Sequence, residues 1–271
     1  MAIITISRGS FAGGKAIAEK LGERLDYPVL GREEALQGAA REYGIKESEL
    51  TSALNESPPF WRQVPGKRLA FVKCVTAALL DHAKDGNLIY HGNVGHLLLG
   101  GIDHALRVRV IADLEFRVAA AMEKTGLPRN EAEAYILGVD QDRKRWVQLL
   151  YGIDWEDPSQ YSVILNLSQV GVDGAVDTIA GMTQLDGFQP TAESGKRYAD
   201  VLLGCRVWAA LAREPKTRSS GIDVTADDGA IRIVGSVRTG EAGTLVPEIA
   251  EKVEGVKSVQ CEAGVGTDWY W

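Results

Sequence analysis

The sequence has little of what most metal and redox proteins need. Three cysteines (Cys74, Cys205, Cys261) and four histidines occur in 271 residues, and none falls at a metal-ligand spacing. A metal site built on them is therefore not expected, and the cysteines read as small, reduced, buried apolar residues. No basic run is present, and the formal net charge is −7, which argues against a nucleic-acid partner held by a positive field. No apolar segment is long enough to span a bilayer. The opening AIITIS lacks the charged segment and cleavage site of a signal peptide, so a cytoplasmic location is expected. What remains, 45% hydrophobic and 25% charged residues, suits a globular chain of one large domain or two unequal ones.

Up to about Leu185, apolar runs alternate with segments of helical period. AIITIS is a β-rich run, and KAIAEKLGERL places Ile17, Ala18, Leu21 and Leu25 on one helical face. NESPPFW carries two prolines that forbid regular helix and mark a loop. NLIYHG, HALRVRVIAD and YSVILNLS read as strands, and GKRLAFVKCVTAALLDHAKDG, LEFRVAAAMEKTG, Arg129 to Tyr151, and GVDGAVDTIAGMTQL as helices. Strands separated by helices predict an α/β fold, a parallel sheet covered on both faces, with ligands beyond the carboxyl ends of its strands. After the linker DGFQPTAESG, a helix (RYADVLLGCRVWAAL), a hairpin turning at Asp228-Gly229, a second helix and a final strand, VKSVQCEAGV, predict a small α-β-β-α-β domain. The expected division is 1–187 and 196–271.

Between the first strand and the first helix, Gly9, Gly14 and Lys15 fit the phosphate-loop pattern G-x-x-x-x-G-K-[ST]. Small residues there let backbone N–H groups point into one concavity, and the helix adds its positive N-terminus. Ala12, Gly13 and Gly14 supply the small residues, and Lys15 supplies the charge for outer phosphates. The hydroxyl that usually ligates Mg²⁺ is replaced by Ala16. Gly9, Ala12, Gly13, Gly14, Lys15 and Ala16 are thus the candidate cradle.

The stretch ITISRGSFAGGKAIAEKLGERLDYPVLGREE resembles the opening of the cytidylate kinase-like family. SPPFW, LIYHGNVGHLLL, RVRVIADLEFRV, DQDRKRW and YGIDWEDPSQYSVILNLSQVGVDGAVDTI continue the likeness in order. It implies a P-loop nucleoside monophosphate kinase fold that moves the γ-phosphoryl group of ATP, with Mg²⁺, to a monophosphate such as CMP. It also implies roles: Arg8, in the Ser-Arg pair, beside the nucleotide; Lys15, Arg117 and Arg143 as catalytic cations; Asp140 and Arg143, in a D-x-x-R element near the lid, on the acceptor. Three positions depart from the family. Asn93 stands where an arginine commonly meets the acceptor phosphate, Phe11 where glycine is usual, and Ala12 where serine is frequent. With Ala16, these leave a second reading open, a nucleotide-binding sensor or adaptor without efficient turnover. The last quarter, through VWAAL, IDVTADDGAIRIVGSV and VEGVKSVQCEAGV, is similar to the BON domain, a module of bacterial osmotic-stress and nodulation proteins. That likeness implies a protein or phospholipid partner; a homo-oligomer and docking of the aromatic tail DWYW are further expectations.

Overall fold

The computed structural model describes residues 2–55, 65–84, 86–92 and 94–266; SPPFW, Asn93 and DWYW lie outside them. In chain order the elements are β1 (Ile3–Arg8), α1 (Gly14–Leu25), β2 (Val29–Gly31), α2 (Arg32–Tyr43), α3 (Glu47–Asn55), α4 (Pro65–Ala83) and β3 (Leu88–His91). They continue with α5 (Gly95–Leu98), β4 (Ala105–Ile111), α6 (Leu114–Thr125), α7 (Arg129–Tyr151), β5 (Val163–Asn166) and α8 (Leu167–Met182). The chain closes with α9 (Ala192–Arg213), β6 (Gly221–Asp227), β7 (Ala230–Val237), α10 (Gly240–Ala250), β8 (Ser258–Cys261) and β9 (Gly264–Val265). Two compact units result, and neither is one continuous segment. The first runs to Glu34 and adds Ala83–Pro190; the second combines Ala35–His82 with Thr191 onward.

The first unit is the expected α/β layer structure, a five-stranded parallel sheet with helices on both faces, in the order β2-β3-β1-β4-β5. Strand period divides β1: Ile4 and Ile6 join Ile17, Ala18 and Leu21 of α1 and Ile179 of α8 in one core. Each such fully buried isoleucine or leucine contributes about 1.5–3 kcal/mol. On the other face Ser7 meets His96 of α5, Oγ to Nδ1 at 2.9 Å. The chain runs from β1 outward to β2, returns through β3, and crosses to β4 on the far side of β1. That reversal opens a crevice beyond the carboxyl end of β1, where Arg8 and the loop after it lie.

The second unit holds the expected α-β-β-α-β order. β6 and β7 form an antiparallel hairpin, and β8 and β9 both pair with β7 in parallel. Its turn has positive φ at Asp228 (46°) and Gly229 (86°), the backbone that an Asp-Gly pair accepts in a tight hairpin. Arg206 of α9 pairs with Asp81 of α4, and the Tyr198 hydroxyl donates to the Leu80 carbonyl. Two boundaries differ from the sequence reading. The linker expected up to Gly195 is helical from Ala192, because Thr191 and Ser194 form a reciprocal capping box. Asn166 caps α8 by accepting from Ser168 N–H, so the strand stops there; Gly171 (φ 66°, ψ 176°) then interrupts the helix.

Burial, and secondarily Arg107 and Arg109, push the His96 imidazole down to about 3, so it stays neutral in the folded chain. Unfolded, it takes up a proton near 6.5; the unfolded state therefore binds more protons between those values, and stability falls as pH drops through that window. Urea unfolding from pH 7 to pH 4 should show this loss, and His96→Gln should flatten the slope by about one proton.

Candidate functional site

The loop from Gly9 to Gly13 is closed by two long backbone bonds. Gly9 N–H donates to the Val110 carbonyl at 3.4 Å and Ala12 N–H to the Gly9 carbonyl at 3.3 Å. Glycine is required at its exit. Gly13 sits at φ 77° as the N-cap of α1, and a Cβ there would lie 2.6 Å from Leu167 Cδ1. A Cβ on Gly14 would collide with the side chain of Arg8. Phe11 takes φ 59°, an unusual conformation for a bulky residue. Its ring is held edge-on to Tyr135 at 6.2 Å, beside the small core formed by Val118, Ala121, Ala132 and Ile136. The aromatic side chain thus anchors the loop to α6 and α7.

A cleft of about 700 Å³ opens over this loop, lined among others by Arg8, Gly13, Gly14, Lys15, Ala16 and Arg143. Ala12 is buried beneath it. The Lys15 side chain is 64% exposed and lies 3.5 Å from Glu19 on the next turn. Arg117 lies over Gly9, donating from Nε to the Ser10 carbonyl at 2.8 Å and pairing with Asp140. Asp140 also accepts from Ser10, N–H and Oγ–H each at 3.2 Å. Arg143, one turn along α7, is 3.5 Å from Asp140 and donates to the Arg8 carbonyl at 3.4 Å. Burial lowers the Arg8 pKa and pushes Arg143 down to about 10 despite Asp140 beside it; both remain charged at neutral pH.

The structure therefore gathers Arg8, Gly9, Ala12, Gly13, Gly14, Lys15, Ala16, Arg117, Asp140 and Arg143 around one loop. Arg145, further along α7, is exposed and 4.0 Å from Asp142, apart from this group. Asp113 caps α6 without a side-chain cap bond. Asn93 lies outside the described residues. Arg109 on β4 went unnoticed in the sequence. Its buried guanidinium lies 4.9 Å from the Trp155 ring and 5.5 Å from that of Tyr161, and donates to the Trp155 carbonyl at 3.2 Å. It lines a small cavity of about 140 Å³ with Gly9, Arg117 and Asp140. The signal was available: on β4, Arg107 and Arg109 alternate with Leu106, Val108 and Val110, so arginines stand on the second face of a central strand.

These donors suit an oxyanion. Nε of Arg8 and Nε of Arg143 have no hydrogen-bond partner among the described residues, and the glycines leave the loop backbone open to close approach. They suit Mg²⁺ less well: position 16 offers no oxygen, and among the described residues no cluster of three His, Cys, Asp or Glu could hold a metal. Among the described residues no helix is long and apolar enough to cross a membrane.

Residues 3–169 match the cytidylate kinase-like family, and residues 200–266 match the BON domain. Among curated proteins, the cytidylate kinase of Pyrococcus horikoshii is 23% identical over 196 residues, covering 72% of this chain and 94% of that one. That of Thermococcus kodakarensis is 23% identical over 203 residues, covering 74% and 97%. Among solved structures, an uncharacterized protein from Eubacterium ventriosum superposes with a TM-score of 0.54 at 18% identity, covering 68% of this chain and 98% of its own; that likeness concerns the fold alone.

Asp140 acts as an internal anion for the loop amide and two guanidiniums. Asp140→Asn should lower stability to urea by about 1–3 kcal/mol. It should also tighten binding of tripolyphosphate in calorimetric titration, since the same donors are released to the added anion.

Proposed function

The chain belongs to the cytidylate kinase-like family, and from that premise we propose that it transfers the γ-phosphoryl group of ATP to a nucleoside monophosphate of the CMP type. The observation that carries the reading is the convergence of Lys15, Arg8, Arg117 and Arg143 on a loop whose glycines at 13 and 14 cannot bear a side chain. Phosphoryl transfer needs positioning and positive charge more than covalent help from the protein. In this reading the loop amides and Lys15 hold the outer phosphates of ATP. Arg117 and Arg143 offset the charge that builds on the moving group, and Asp140 turns from Ser10 to the acceptor. An acceptor phosphate oxygen bonds to the γ-phosphorus as the bond to the bridging oxygen breaks, and ADP leaves. Mg²⁺ brought with ATP would supply further positive charge, and with Ala16 in place of a hydroxyl the loop offers it no side-chain oxygen at that position.

The matches at 3–169 and 200–266 support a division into a kinase-like domain, 1–187, and a BON domain, 196–271, that engages a protein or phospholipid partner. A homo-oligomer and a cytoplasmic, bacterial setting belong to the same reading. A nucleotide-binding sensor without turnover is the second reading, favoured by Ala16 and by the pairing of Lys15 with Glu19.

ADP release from Mg-ATP with CMP, UMP, AMP and GMP, measured in a coupled assay, separates the two. The kinase reading expects turnover that depends on one acceptor and drops about 10²–10³-fold in Lys15→Ala. ATP-dependent thermal stabilisation without turnover on any acceptor would leave the sensor.

A further inference from the structure

The α6–α7 hairpin carries a small core of its own, Val118, Ala121, Ala132 and Ile136, apart from the core beneath the sheet. Three partly buried side chains pack against it. Leu114 and Leu127 come from the hairpin itself, and Phe11 comes from the phosphate loop. The Phe11 ring meets that of Tyr135 edge-on, with centroids 6.2 Å apart and planes at 63°. Both residues line the cleft of about 700 Å³, between Gly13 and Lys15 of the loop and Ala120 and Val139 of the hairpin. Arg8, Ser10 and Phe11 thus meet Arg143, Asp140 and Tyr135 in turn, over about two turns of α7.

These contacts with α7 differ in kind. The Arg8 carbonyl accepts from Arg143 at 3.4 Å, and Asp140 accepts from the Ser10 N–H at 3.2 Å. Both are long polar bonds, which water or an entering phosphate can replace at little cost. The ring contact is apolar, and an anion offers nothing in its place. Phe11 reaches it in a strained backbone, at φ 59°, a conformation that glycine adopts freely. Such strain persists only where packing holds it, and the packing that holds Phe11 belongs to the hairpin. Both ends of the hairpin can act as hinges. Asp113 precedes α6 without a side-chain cap bond, and α7 closes at Gly152 with φ 66°.

We propose that Phe11 and Tyr135 form a latch that holds the α6–α7 hairpin closed over the phosphate loop before a nucleotide arrives, so that nucleotide enters and leaves only when the pair opens. The inference rests on the reading of the loop as a nucleotide cradle and holds whether or not turnover follows. A chain with glycine at position 11 has no side chain to place in the hairpin core, and polar contacts alone join its loop to α7. The latch closes the free and the occupied cleft alike. It therefore slows association and release by the same factor and leaves affinity nearly unchanged. In a kinase such a latch makes product release limit turnover; in a sensor it prolongs the occupied state.

The test is stopped-flow binding of a fluorescent ATP analogue to the full chain, comparing wild type with Phe11→Ala, Tyr135→Ala and the two combined. Each single variant should raise the association and dissociation rates together, about 2–10-fold, the range that an aromatic pair contributes, with Kd changed by less than about twofold. The double variant should be no faster than the quicker single one, and Tyr135→Phe, which keeps the ring, should match wild type. Tyr135 is 50% exposed, so its truncation keeps the test decisive where Phe11→Ala fails to fold. Binding with rates unaltered in Tyr135→Ala overturns the latch alone. So does faster dissociation without faster association, the pattern of a ring that touches the nucleotide or only supports the loop. Absence of binding in wild type and variants alike overturns the nucleotide reading, and the latch with it.

Discussion

One carboxylate sets the arrangement of the site. Asp140 accepts from both the backbone and the hydroxyl of Ser10 and lies against the guanidiniums of Arg117 and Arg143. Without it, two arginines would face each other across a loop whose purpose, in this account, is to attract anions. With it, the cations are held in place while part of the anion position is occupied from within. An entering phosphate group would exchange one set of charge-assisted hydrogen bonds for another, which limits the reorganisation the site must undergo. The contact also links the loop to α7, together with the Phe11 ring on Tyr135 and the Arg143 bond to the Arg8 carbonyl.

The sheet explains why these groups meet at all. Arg8, Arg117 and Arg143 come from different stretches of sequence, and only the order β2-β3-β1-β4-β5 puts the elements that carry them side by side. The core beneath, Ile4 and Ile6 against Ile17, Ala18 and Leu21, fixes α1 so that Gly13 and Gly14 enter it at close range to Leu167 and Arg8. Phe11 replaces conformational freedom with an anchor: its backbone is strained, and its ring packs against the helices that carry Arg117 and Asp140. Arg109, against the rings of Trp155 and Tyr161, joins β4 to the segment after α7.

Local signals made the frame legible in the sequence. β1, the loop and α1 were readable because strand period, glycine spacing and helical period follow one another within about two dozen residues. The Asp228-Gly229 hairpin was readable because turn chemistry is local. The start of α9 at Ala192 was missed because Pro190 and Gly195 suggested a linker, whereas the reciprocal bonds of Thr191 and Ser194 override that composition. Phe11 and Tyr135 gave no local sign of belonging together. Their meeting depends on how α7 folds back over the loop, which a one-dimensional pattern does not carry. Lys15 was expected from its motif, but its pairing with Glu19 is a side-chain choice that spacing alone does not determine.

The central claim is that residues 9–16 cradle the phosphates of a nucleotide. Amide hydrogen exchange of that loop, measured with and without Mg-ATP and with adenosine as the control, tests it most directly. The account predicts slowed exchange at the loop amides with Mg-ATP, none with adenosine, and loss of the effect in Lys15→Ala. Unchanged exchange with Mg-ATP, or equal protection by adenosine, would contradict it.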